Sequence, residues 1–165
     1  SLWLAFHDDL ADPSSSDPVA RESTRLFTAA VIGAQTTLDP KQMRAWTPNS
    51  SYGGHAFGFM DKSQSRDEQF AAFLAARERL LPLIAEYSPF ALVSADDPPV
   101  YLIYKDPPAL GSPAKDPTHT ANFGVKLSER LAEVGVASEL VYPGAPGVTH
   151  PTIEDYLVAV LQSEP

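Results

Sequence analysis

Three titratable side chains in the last third of the chain, Asp106, Asp116 and His150, stand where acid–base chemistry is easiest to build. A carboxylate that accepts a hydrogen bond from one ring nitrogen of an imidazole fixes its tautomer. The other nitrogen is then free to take a proton from a hydroxyl attacking a carbonyl. Acid and imidazole meet readily when each follows a strand of one parallel sheet, because open α/β sheets bind their ligands beyond the carboxyl ends of the strands. All three residues are so placed. An aspartate in such a turn could equally cap a helix, and His150 could be an ordinary loop histidine.

The elements that must position them alternate cleanly. Residues 99–104 read as a buried strand, 106–118 as a proline-rich connection and 120–134 as a helix stopped by Gly135. Residues 137–142 read as a second strand, 143–150 as a loop and 151–162 as a final helix. Pro151 suits the first turn of that helix, and Glu154 and Asp155 suit its positive end. Strand, helix, strand, helix implies right-handed crossovers and a parallel sheet. Upstream, Trp3, Phe6 and Leu10 mark a packed helix over residues 1–11, and 18–25 is a short polar helix candidate. Phe27 to Ile32 reads as a strand covered on both faces and closed by Gly33. An insertion at about 39–65 holds a short helix, Pro40 to Trp46, then a run rich in glycine and aromatics. Residues 66–81 form an amphipathic helix whose continuation is limited by Pro82 and by Ser88-Pro89.

The 165 residues suit one domain, and 44% hydrophobic content suits a globular one. Twelve basic against twenty-one acidic residues give a formal charge of −9, which repels phosphate backbones, so nucleic acid is excluded as a partner. No apolar run reaches the roughly 18–20 residues of a membrane span, and no leader opens the chain, so localisation is left undefined. With no cysteine there is no disulfide, thiolate nucleophile or cysteine-ligated zinc. His7-Asp8-Asp9 is a solvated helix end, since adjacent helical residues do not face one another, and no metal is expected. Trp46, Tyr52 and His55 are candidates to line a substrate pocket, with packing of the insertion as the equal alternative.

Several stretches together resemble the C-terminal third of bacterial α/β-hydrolase esterases and lipases. They are Pro99-Val100-Tyr101-Leu102-Ile103-Tyr104, the turn Asp116-Pro117-Thr118-His119, the helix Asn122 to Leu131, Glu139-Leu140-Val141-Tyr142-Pro143-Gly144-Ala145 and His150. The resemblance is good from Ser94 to Leu161, looser over residues 1–37, and sets 39–65 where that family places a lid or cap. It implies a partial α/β-hydrolase fold, the C-terminal portion of a three-layer α/β/α sandwich, acting on small-molecule esters without a cofactor. It also implies His150 as base and Asp116, of the Asp-Pro turn, as orienting acid. Asp106 is the rival acid, because the insert Pro107 to Lys115 lengthens the loop. His119, beside Asp116, is read as part of the start of the following helix.

No glycine has a serine two positions later, so the G-x-S-x-G nucleophile elbow is absent, and Ser1 at the terminus cannot act as one. With no initiator methionine and an apolar start at Leu2, the chain reads as a C-terminal portion whose serine lies upstream. On its own it is expected to be inactive and, with an exposed sheet edge, prone to self-association. Two alternatives stand beside the ester hydrolase: a non-catalytic α/β binding module, and part of a prolyl-oligopeptidase-type peptidase.

Overall fold

The structure, a computed structural model, describes residues 1–163. The chain runs α1 (Leu2–Phe6), a 3-10 turn (Val19–Arg21), β1 (Ala29–Ile32), α2 (Pro40–Trp46) and a second 3-10 turn (Gly54–Phe57). It continues through α3 (Arg66–Ala75), α4 (Arg77–Tyr87), α5 (Pro89–Leu92), β2 (Val100–Ile103), α6 (Asn122–Glu133), β3 (Ser138–Val141) and α7 (Ile153–Gln162). The strands form one all-parallel sheet in the order β1-β2-β3. Ile32, Ile103 and Val141 are register partners, so the three strands end level and their loops leave one common edge.

β2, paired on both sides, is apolar throughout, and Val100, Tyr101 and Leu102 are fully buried. β1 is paired on one side only, and Ile32 at its end is 68% exposed. The apolar run at 27–32 therefore gives a shorter strand than its hydrophobicity suggests. Phe27 stays exposed, and the Thr28 hydroxyl donates to the carbonyl of Pro99 instead of extending the ladder.

On one face α1, α5 and α6 pack through Leu2, Phe6, Leu127 and Leu131 against Val100, Leu102 and Tyr104. Phe123, Leu127 and Leu131 recur every four residues, which gives α6 one buried stripe. Gly124 lets that helix approach closely: a Cβ there would lie 2.7 Å from Leu140 Cδ1 and would also overlap the Tyr104 ring. On the other face α7 packs Tyr156 on Tyr101, with ring centroids 4.9 Å apart, and on Val141. The result is the three-layer α/β arrangement that the strand–helix alternation implies.

The insertion builds a second core. Met43 and Trp46 of α2 pack with Phe70, Phe73, Leu80, Ile84 and Phe123. Asp39 caps α2 by accepting from the Lys41 amide at 2.8 Å, and its two carboxylate oxygens take Nε and Nη2 of Arg77 at 2.8 and 2.7 Å. Burial pushes the Asp39 carboxyl up, but Arg77 and the Lys41 amide outweigh it and hold the group below the ordinary aspartate range.

Several boundaries differ from the sequence expectation, beginning with the first helix, which ends at Phe6 instead of running to residue 11 and leaves Leu10 exposed. The single helix over 66–81 is two helices that break at Ala76, and α4 then runs through Pro82. Pro82 lies in the interior of α4 and has no N–H to give the Glu78 carbonyl, so the helix continues past it with one intrahelical bond missing. The final helix begins at Ile153, not at Pro151, because the Thr152 hydroxyl accepts from the Asp155 amide and makes the better cap. The candidate helix at 18–25 is only the short 3-10 turn.

Candidate functional site

The long loop after β2 is tied down at its far end by Asn122, the first residue of α6. Its wholly buried amide donates to the carbonyl of Trp46 and to Thr47 Oγ1, both at 2.9 Å, and to the carbonyl of Ala109 at 3.2 Å. It accepts from the Ala109 amide at 2.7 Å. Every polar atom of the side chain is thus used to pin the proline-rich segment against α2.

Asp116 stands on this loop with its two oxygens divided between two tasks. Oδ1 accepts the amides of Thr118 and His119 at 3.1 and 3.2 Å, while Oδ2 bonds Nδ1 of His119 at 2.9 Å. The His119 ring is the main cause holding the Asp116 carboxyl below its ordinary range; burial opposes it, and the two amides add to the lowering. An ionised carboxylate can only accept, so Nδ1 of His119 carries a proton, and in the neutral ring Nε2 is then the acceptor. Gly33, at φ +57°, follows β1 and lies under this histidine, where a Cβ would come within 3.3 Å of His119 Cβ. Ile32, Gly33, Lys105, Asp106, Asp116 and His119 line a cavity of about 260 Å³ at the carboxyl edge of β1 and β2. Asp106 contributes to that wall but makes no side-chain hydrogen bond among the described residues.

His150 lies elsewhere. Nδ1 bonds Oε2 of Glu139 at 2.7 Å, its amide and that of Thr149 donate to Oε1 at 2.7 and 2.8 Å, and its carbonyl accepts from the Tyr101 hydroxyl at 2.8 Å. Burial acts to raise the Glu139 carboxyl, yet the two amides and the His150 ring hold it below its usual range. Glu139 and Tyr101 are register partners two residues short of the strand ends, so both tethers hold the histidine against the α7 face of the sheet. The Tyr156 ring meets the His150 ring edge-on at 5.6 Å. The structure thus does not join Asp116 to His150: each is engaged with a different partner.

Among the pocket candidates, Trp46 is buried, its ring packed edge-on against Phe90 and Phe123. Tyr52 and His55 lie with ring centroids 4.6 Å apart, tilted to one another, and, with Phe59, Arg66 and Phe70, line a separate cavity of about 250 Å³. Asp9 is taken up by Ser23 and Thr24 instead of sharing a ligand with His7. No serine hydroxyl bonds either His119 or His150 among the described residues, nor do three His, Asp or Glu side chains group as a metal site. Among them too, no helix is long and apolar enough to cross a membrane.

Sequence reasoning passed over two residues, and each left a signal. His119 sits one residue beyond Thr118, whose amide Asp116 would take in an Asx turn, so the turn that the Asp-Pro pair announces brings the imidazole back to the carboxylate. Glu139 is a carboxylate on the same strand face as Val141, a place that calls for a partner.

Fold and site together define an α/β protein with a parallel sheet between helical layers and a carboxylate–imidazole pair at its carboxyl edge. The crystal structure of an acetyl ester-xyloside bifunctional hydrolase from Caldicellulosiruptor lactoaceticus has a similar fold, with a TM-score of 0.54 and 17% identity. The match covers 86% of this chain and 40% of that one, so the chain spans well under half of that structure's length. No protein-family model and no curated sequence matches the chain.

Proposed function

We propose that this chain is part of a carboxylic-ester hydrolase of the α/β-hydrolase kind. Asp116 is the acid that orients an imidazole, and a serine hydroxyl outside residues 1–163 is the nucleophile. The observation that carries the proposal is the division of the Asp116 carboxylate: one oxygen is locked by two backbone amides, and the other is offered to a histidine beside a carboxyl-edge cavity. An acid held so fixes the tautomer and aim of the imidazole and stabilises the imidazolium that forms. Asp106, without such anchoring, is the poorer acid. The fold shared with an ester hydrolase and the order of strand-end loops add support.

The serine oxygen attacks the ester carbonyl carbon as the imidazole takes its proton, and the carbonyl π pair moves to oxygen. When that pair returns, the alcohol oxygen leaves and takes the proton from the imidazole, and water repeats both steps on the acyl-enzyme. Bonds form and break in equal number, and no metal or organic cofactor is required. The unpaired edge of β1, with Ile32 exposed at its end, is where the remainder of the sheet would add and bring the serine beside Gly33.

Labelling of the full-length gene product with a fluorophosphonate probe, and mapping of the adduct by mass spectrometry, tests this. One modified serine outside residues 1–163 is expected. Absence of labelling in a folded preparation favours a non-catalytic binding module and refutes the assignment.

A further inference from the structure

We propose that His119, not His150, is the imidazole that serves the nucleophile, making Asp116 and His119 an acid–base unit carried on one loop. This rests on the ester-hydrolase proposal above and names the base of that same site.

Four observations carry it. Of the two histidines, His119 alone is hydrogen-bonded to Asp116 among the described residues, at 2.9 Å, and the bond uses Nδ1, leaving Nε2 to act on a hydroxyl. Its side chain is 61% accessible, whereas that of His150 is 24% accessible and lies under Tyr156. His119 lines the cavity beyond β1, the side on which further strands can add, while β3, which holds His150 through Glu139, is at the opposite edge of the sheet. Gly33 clears space for the His119 Cβ directly beyond the end of β1. To reach Asp116, His150 would first have to give up its Nδ1 and amide bonds to Glu139 and the Tyr101 bond to its carbonyl. That set of bonds marks it as a clamp that fixes the loop onto the sheet.

In the reaction, Nε2 of His119 takes the serine hydroxyl proton as the serine Oγ bonds to the ester carbonyl carbon and the carbonyl π pair moves to oxygen. When that pair returns and the carbon–alcohol bond breaks, Nε2 gives the proton to the departing alcohol oxygen. Asp116 stays ionised throughout and acts as a positioning residue.

Steady-state hydrolysis of p-nitrophenyl acetate by the full-length gene product, with His119→Gln, His150→Gln, Asp116→Asn and Asp116→Glu variants checked for folding by circular dichroism, decides the point. His119→Gln should lower kcat by about 10³-fold with KM within about twofold. His150→Gln should lower kcat by less than about tenfold while lowering the melting temperature. Asp116→Glu should recover part of the activity lost in Asp116→Asn. A loss confined to His150→Gln, equal losses in both histidine variants, or no loss in His119→Gln overturns the assignment while leaving the ester-hydrolase proposal standing. A folded wild type with no turnover overturns both.

Discussion

Glu139 grips His150 at two points, Oε2 on the ring Nδ1 and Oε1 on the backbone amide, each at 2.7 Å. A strand side chain thereby anchors the following loop to the sheet face, and the hydroxyl of Tyr101 on the neighbouring strand adds a third tether.

Removing the grip should release the loop before it harms the fold. Glu139→Ala is expected to cost about 1–2 kcal/mol, and to raise hydrogen exchange at the Thr149 and His150 amides ahead of those in β2. The effect of pH has a definite sign. The folded-state pKa of Glu139 is depressed, so its contribution is complete above its unfolded value of about 4.3 and fades as pH falls below that. Protection factors of the two amides, corrected for the intrinsic exchange rate, that do not fall with acidification would contradict the assignment.

The bidentate contact of Arg77 with Asp39 links the cap of α2 to the start of α4. Arg77→Ala leaves a mostly buried carboxylate without its counter-ion and should cost about 2–3 kcal/mol, read as a lower urea midpoint with unchanged slope. Because the Asp39 pKa is also lowered on folding, this stabilisation is present above about pH 3.9 and is lost on further acidification. Asp39→Asn should flatten the acid limb of the stability curve.

At Gly124 the space is missing, not the backbone freedom. Gly124→Ala forces a methyl group against Tyr104 and Leu140 and should destabilise by about 1–3 kcal/mol despite alanine's better helix propensity. A neutral or stabilising outcome in thermal melts would mean that α6 can back away from the sheet.

Asn122 binds the proline-rich loop to α2 with no exposed atom. Asn122→Ala should cost about 1–3 kcal/mol, since it strands the Ala109 amide and takes a donor from Thr47 Oγ1 and from the Trp46 and Ala109 carbonyls, which keep only the Gly111 and Ser112 amides. The loop bearing Asp116 should become protease-sensitive.

Much of the fold is legible in the residues themselves. The apolar run at 100–103 and the Leu140-Val141-Tyr142 stretch, separated by a helix with a four-residue apolar period, define the parallel sheet and its layers. Asp39 before Pro40 writes the start of α2 into the sequence, and the helix ends at Trp46 as expected. The break at Ala76 is not legible because Phe70, Phe73, Leu74, Leu80 and Leu81 keep helical spacing across it, and the proline that marks a helix breaker lies beyond it, inside α4. The site was legible by position only. Asp106, Asp116 and His150 do follow strands, but which acid meets which imidazole depends on the path of loops lengthened by Pro107 to Lys115 and Pro143 to Thr149. Hydrophobic periodicity carries no information about that path, so the contacts of Asp116 with His119 and of Glu139 with His150 emerge only in three dimensions.

The most direct test of the central claim is the kcat for p-nitrophenyl acetate of the full-length gene product carrying Asp116→Asn, set beside Asp106→Asn. If Asp116 is the orienting acid, the first substitution lowers kcat by about 10³-fold and the second by less than about threefold. Equal effects of the two, or an Asp116→Asn enzyme as fast as wild type, would contradict it.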